Sequence, residues 1–165
     1  MKMNARALLI AACVGFVVEL FLSFISAMVN RMQPSGFFGP SQQDVTLACF
    51  AGLVLIVLGL LTSASVGGLY SWLSRGTSLL PRNITLGGAA ASGLAALGAS
   101  GLTEAVLVFS MVVAGSQNVG LTQSQTMAVI AVSAIGGIII WTVVGGLMGA
   151  LGAWLVRRFV STRSA

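Results

Sequence analysis

Residues 7–29 read ALLIAACVGFVVELFLSFISAMV, an apolar run broken by one charged side chain, Glu19. A helix that crosses a ~30 Å hydrocarbon core needs about 20 mostly apolar residues. This run meets that length, and the rest of the chain decides that it is a span and not a core helix. Three further runs of the same kind follow, at 45–73, 86–115 and 125–156. Between them lie polar, turn-rich segments. The first, 30–43, holds Pro34, Gly36, Gly39 and Pro40; the second holds Arg75, Gly76, Pro81 and Arg82; the third covers 116–122.

Composition points the same way. A soluble domain carries about 25% charged residues, whereas this chain of 165 residues carries 7% and is 57% hydrophobic. Its mean hydropathy is +1.03. An open sheet leaves unbonded edges in lipid, and the short alternating strands of a membrane barrel are missing from the pattern. The expected fold is all-α: one polytopic membrane domain, 1–165, of four transmembrane helices. The lipid bilayer is its first partner. Residues 7–29 are long enough to be the first span, and no small-x-small site follows them, so they are read as a retained helix and not a cleaved signal.

The basic residues act as topology signals. Lys2 and Arg6 precede the first span, Arg75 and Arg82 separate the second from the third, and Arg157, Arg158 and Arg163 follow the fourth. Of the eight Lys and Arg residues, Arg31 alone falls on the opposite side. The positive-inside rule then places both termini and the second loop in the cytoplasm, in a bacterial-type plasma membrane. The net charge of +5 is not read as a nucleic-acid footprint, because no aromatic-basic patch accompanies it.

The halves 1–80 and 81–165 share features in the same order. Ser41-Gln42-Gln43-Asp44 precedes the second span and Thr122-Gln123-Ser124-Gln125 the fourth, each in a capping-box pattern. Trp72-Leu73-Ser74-Arg75 closes one and Trp154-Leu155-Val156-Arg157 the other, 82 residues apart. Glu19 and Glu104 occupy the odd spans, 85 apart. Two tandem hairpins follow, related as parallel repeats about an axis along the membrane normal. From 86 to 101 the third span has Leu86, Leu94 and Leu97 as its large residues, and the rest are Gly, Ala or Ser. Gly52, Gly59, Ser63 and Gly67 form a small-residue face on the second span, and Gly145, Gly149 and Ala153 one on the fourth. Such faces let backbones approach closely, which is how helices associate in lipid. They pack the monomer or dock another subunit.

Glu19 and Glu104 are the candidate functional residues. Both sit roughly 15 Å from the outer helix ends, near the midplane. Intramembrane carboxyls are costly and mark a partner or a task. They are read as protonated groups that fix helix register, as a proton or cation site, or as contacts for a partner's buried cation. Phe37 and Phe38, flanked by glycine and proline, are read as an interfacial anchor or partner contact. Cys13 and Cys49 are read as small apolar packing residues. With no His and two such cysteines, no metal, haem or other cofactor site is expected, and no enzyme signature appears. The functional expectation is a non-enzymatic accessory or structural subunit, with protein partners or self-association. The alternative is a small proton- or cation-coupled transporter or channel using Glu19 and Glu104.

Overall fold

A computed structural model describes residues 3–31, 42–75, 77, 79–114 and 123–161. Among the described residues the chain forms four helices: α1 (Ala5–Arg31), α2 (Gln42–Leu73), α3 (Pro81–Ala114) and α4 (Gln123–Ser161). Even α1, with 27 residues, is about 40 Å long at 1.5 Å per residue, more than the hydrocarbon core requires. All four contain stretches long and apolar enough to span a bilayer. The chain is an all-α integral membrane protein.

The helix ends depart from the sequence reading for local reasons. α1 starts at Ala5, not at residue 7, because Asn4 caps it. The Asn4 Oδ1 accepts the Ala7 N–H at 3.3 Å, and its carbonyl accepts the Leu8 N–H at 2.9 Å. α3 starts at Pro81, five residues before the expected 86. Proline suits the first helical position, where its missing N–H is not needed and its φ is already set. The Leu80 carbonyl takes the first bonds, from Asn83 at 2.9 Å and Ile84 at 3.2 Å. α4 runs to Ser161, beyond the expected 156. Arginine is a good helix former, and Arg158 in the last turn complements the helix dipole. The capping-box residues Ser41 and Thr122 lie outside the described residues.

The bundle is built inside out relative to a soluble protein. Its buried side chains are mostly small, namely Ala7, Ala11, Ala91, Ala95, Ala96, Ala99, Ala134 and Ala153 with Ser63, Ser71, Ser74 and Ser92, and the larger ones among them are Val66 and Tyr70. Leu86, Leu94 and Leu97 all face outward, as do Phe21, Phe24, Leu53, Phe109 and Leu147. Lipid solvates large apolar side chains as well as a protein core does, so burying them gains little. Close backbone approach is what gains dispersion contacts.

Helix α4 packs along both α2 and α3, and α1 lies against α2 and α3. α2 and α3 also touch, whereas α1 and α4 do not among the described residues. Three glycines bring the inner helices together. A Cβ on Gly67 of α2 would collide with the Gly149 backbone of α4; one on Gly149 would collide with Ser92 of α3 and lie 2.6 Å from the Gly88 carbonyl oxygen. A Cβ on Gly88 would stand 3.3 Å from the Gly67 Cα. Gly152 meets the Ala64 backbone in the same way. The small-residue faces on α3 and α4 therefore pack the monomer. On α2 the face stops short of Gly52, which has nothing within 4 Å.

The parallel helices α2 and α4 run in register. Gly59 faces Trp141, Ser63 faces Gly145 and Gly67 faces Gly149. At the end carrying the termini, the sole tyrosine, Tyr70, is fully buried across Gly87, and its hydroxyl accepts the Asn4 N–H at 3.3 Å. Cys13 and Cys49 are free and lie on the outer surface instead of packing inside, because the close interfaces are already filled by Gly, Ala and Ser.

Candidate functional site

The polar centre of the bundle starts from Glu19. It lies midway along α1, one turn beyond Gly15, whose missing side chain lets α1 close on Val66 and Ala95. Glu19 is half-buried, and its Oε1 accepts the Ser63 hydroxyl of α2 at 3.1 Å. Ser63 is 5% exposed. Its Oγ also lies 3.5 Å from where a Cβ on Gly145 of α4 would be. The Gly145 carbonyl in turn accepts the Ser92 hydroxyl of α3 at 2.7 Å. One polar layer thus passes through all four helices: Glu19, Ser63, Gly145, Ser92. α1 and α4 do not touch among the described residues, and Ser63 stands between them in this layer, bonded to Glu19 and packed against Gly145.

Six hydroxyls within the helices show why this layer is distinct. Thr62, Ser65, Thr85, Ser100, Thr103 and Thr142 each donate to the carbonyl four residues earlier in their own helix. That is the ordinary way a hydroxyl is satisfied in lipid, and it ties nothing together. Ser63 and Ser92 reach across instead, because each sits where a facing glycine leaves room for the hydroxyl.

Glu104 occupies a different seam. It is half-buried on α3, and its Oε1 lies 3.5 Å from where a Cβ on Gly137 of α4 would be. Phe16 rests against Gly98 and Gly15 against Ala95, which fixes the relative heights of α1 and α3. Glu104 then stands three to five residues farther along the bundle than Glu19, about 5–8 Å. Glu19 is turned toward α2 and Glu104 toward α4, and no hydrogen bond joins the two carboxyls. Among the small residues that precede Glu104 on α3, Gly93 faces Thr142 and Gly146, Ser100 bonds its own helix, and Gly101 has nothing within 4 Å. Phe37 and Phe38 lie outside the described residues.

Neither Ser63 nor Ser92 was identified from the sequence as a partner for the buried polar groups. The available signal was weak: Ser63 belongs to the small-residue face of α2, but spacing does not say whether a serine bonds its own helix or a neighbour.

Chemically, the layer holds one carboxyl, two hydroxyls and a backbone carbonyl. It can fix helix register through directional bonds, and the carboxyl can take up or release a proton. No family model matches the chain, and no curated protein or solved structure matches it either.

Proposed function

We propose that the chain is a non-enzymatic membrane protein that serves as an accessory or structural subunit of a membrane assembly, or assembles with copies of itself. The observation that carries this reading is the use to which the central polar groups are put. Glu19, Ser63 and Ser92 bond across helices, and the inner glycines bring backbones into contact. Groups committed to holding helices together suit a rigid membrane unit. The duplication of 1–80 in 81–165 belongs to the same proposal. Its support is that the 82-residue offset between Trp72 and Trp154 recurs in the facing pairs Gly59–Trp141, Ser63–Gly145 and Gly67–Gly149. The proposed membrane is a bacterial-type plasma membrane, with both termini in the cytoplasm.

A second reading, a proton- or cation-coupled carrier or channel, draws on one observation: two carboxyls stand near the midplane, where an ionisable group is rarely without a task. The experiment that separates the two uses Glu19→Gln and Glu104→Gln, singly and together. Glutamine keeps the shape and can still accept from Ser63, but it cannot ionise. Under the first reading, native electrophoresis in mild detergent gives particles larger than one 16.8 kDa chain with its micelle. The Gln variants reproduce that size. Under the second, proteoliposomes of the native chain show proton or cation flux, and a folded double Gln variant loses it. Such a loss would overturn the structural reading.

A further inference from the structure

We propose that the end of the bundle carrying both termini binds the headgroups of anionic phospholipids. Arg6 lies in the first turn of α1, Arg75 just after α2, Arg82 in the first turn of α3, and Arg157 and Arg158 near the end of α4. The helices bring these positions to one end. Asn4 bonds Tyr70, Tyr70 crosses Gly87, and Val156 stands 3.0 Å from where a Cβ on Gly68 would be, so the ends of α1, α2, α3 and α4 are all tied there. Arg6, Arg75, Arg82 and Arg157 are exposed, and Arg158 lies over the Trp154 ring at 5.3 Å.

No acidic side chain of the sequence lies at this end. The three acidic side chains are Glu19, midway along α1, Glu104, about two-thirds of the way along α3, and Asp44, in the first turn of α2 at the opposite end. The charge of the exposed Arg6, Arg75, Arg82 and Arg157 is therefore not offset by an acidic side chain at this end, and an anion from outside can meet it. Exposed arginine presents a planar fork that matches a phosphate with two parallel hydrogen bonds.

The surroundings of the arginines identify the carrier of that phosphate. Trp72 is 55% exposed, Leu80 67% and Phe159 68%, all within a few residues of an arginine, and Trp154 is exposed beneath Arg158. A free anion has no use for that apolar surface. An amphiphile with a phosphodiester headgroup and acyl chains meets both features at once: phosphate on the arginines, chains along the aromatic and aliphatic side chains. Either orientation of the protein leaves this surface at a lipid headgroup layer, so the inference does not depend on the topology.

The test uses the full chain in a neutral, uncharged detergent, with the thermal midpoint followed by tryptophan fluorescence. Phosphatidylglycerol and phosphatidylcholine are added at equal mole fraction, in low and in high sodium chloride. Phosphatidylglycerol is expected to raise the midpoint by at least about 2–4 °C, the response of a chain of this size to a fivefold shift in its folding equilibrium. Phosphatidylcholine leaves it in place, and high salt erases the difference. Inorganic phosphate at the same concentration gives no shift, because it lacks the acyl chains. The Arg75→Gln/Arg82→Gln variant loses the response, while Arg75→Lys/Arg82→Lys, which keeps the charge without the fork, retains part of it. Equal midpoints in the two lipids, or an equal shift with inorganic phosphate, would overturn the proposal. So would stabilisation by an acidic polypeptide that phosphatidylglycerol does not reproduce. Native mass spectrometry of the unsubstituted chain gives a second measurement that needs no variant: phosphatidylglycerol adducts should outlast phosphatidylcholine adducts, and equal retention would also overturn it.

Discussion

Replacing Gly149 by Ala adds one methyl group at the point where α2, α3 and α4 meet. The new Cβ would coincide with space held by Ser92 and stand 2.6 Å from the Gly88 carbonyl oxygen. Carbon atoms rest about 3.5–4.0 Å apart, so α3 and α4 must separate by on the order of 1 Å, a gap that forfeits a quarter to a half of each contact's attraction along the seam. Overpacking of this kind costs about 1–3 kcal/mol. The same movement stretches the Ser92–Gly145 bond from 2.7 Å, and an interhelical bond in lipid contributes about 0.6 kcal/mol on average. Alanine's better helix propensity offsets up to about 1 kcal/mol. The net expectation is a loss of about 1–3 kcal/mol. Gly136 of the same helix is the internal control: it has nothing within 4 Å, so Gly136→Ala should be neutral or stabilising by up to about 1 kcal/mol. Unfolding from mixed micelles by added dodecyl sulfate, followed by tryptophan fluorescence, measures both. If Gly149→Ala is as stable as Gly136→Ala, the close three-helix contact does not hold the bundle and the packing argument fails.

Other substitutions probe the remaining ties. Ser92→Ala removes the hydroxyl that crosses to Gly145, and the same unfolding assay should register a loss of roughly 0.6–1.7 kcal/mol. Tyr70→Phe keeps the ring over Gly87 and removes the acceptor for the Asn4 N–H; a loss of about 0.5–1.5 kcal/mol is expected, with faster hydrogen exchange confined to the start of α1. For topology, a cysteine at exposed Thr77, in a chain with Cys13 and Cys49 replaced by Ser, should resist a membrane-impermeant maleimide in intact cells and react after lysis. Labelling before lysis would reverse the orientation.

The spans were legible in the sequence because lipid leaves so few alternatives: a long apolar run either becomes a helix or leaves backbone groups unsatisfied. The inward face of α3 was legible for a related reason. Leu86, Leu94 and Leu97 stand out against glycine, alanine and serine, and these three face lipid. Helix ends were harder. Pro81 and Arg82 carry the composition of a loop, yet proline at the first helical position starts a helix, and Asn4 caps α1 from a position that looks like an unstructured terminus. Least legible was the polar layer. Ser63 and Ser65 differ by two positions in one helix; Ser65 bonds the Leu61 carbonyl and Ser63 bonds Glu19. What separates them is the glycine across the interface, and that neighbour comes from another part of the chain.

The same neighbour relation explains why the bundle combines glycine contacts with a polar layer. Small surfaces let helices approach but slide, because a smooth stripe fits at several offsets. Directional bonds select one of them. Ser63 faces Gly145 between the facing pairs Gly59–Trp141 and Gly67–Gly149, so its bond to Glu19 locks α1 onto α2 at the level where α2 is already locked onto α4. Ser92 does the same for α3 through the carbonyl of that glycine. A carboxyl in this position is costly in lipid unless it is bonded, and here its hydroxyl partner is held in place by the packing that the bond itself helps to align. Register and polarity are therefore one problem with one solution. A change at Gly145 would disturb both: a Cβ there would stand 2.9 Å from the Ala96 Cβ and 3.5 Å from the Ser63 hydroxyl, pressing on the seam that Glu19 depends on from two helices away.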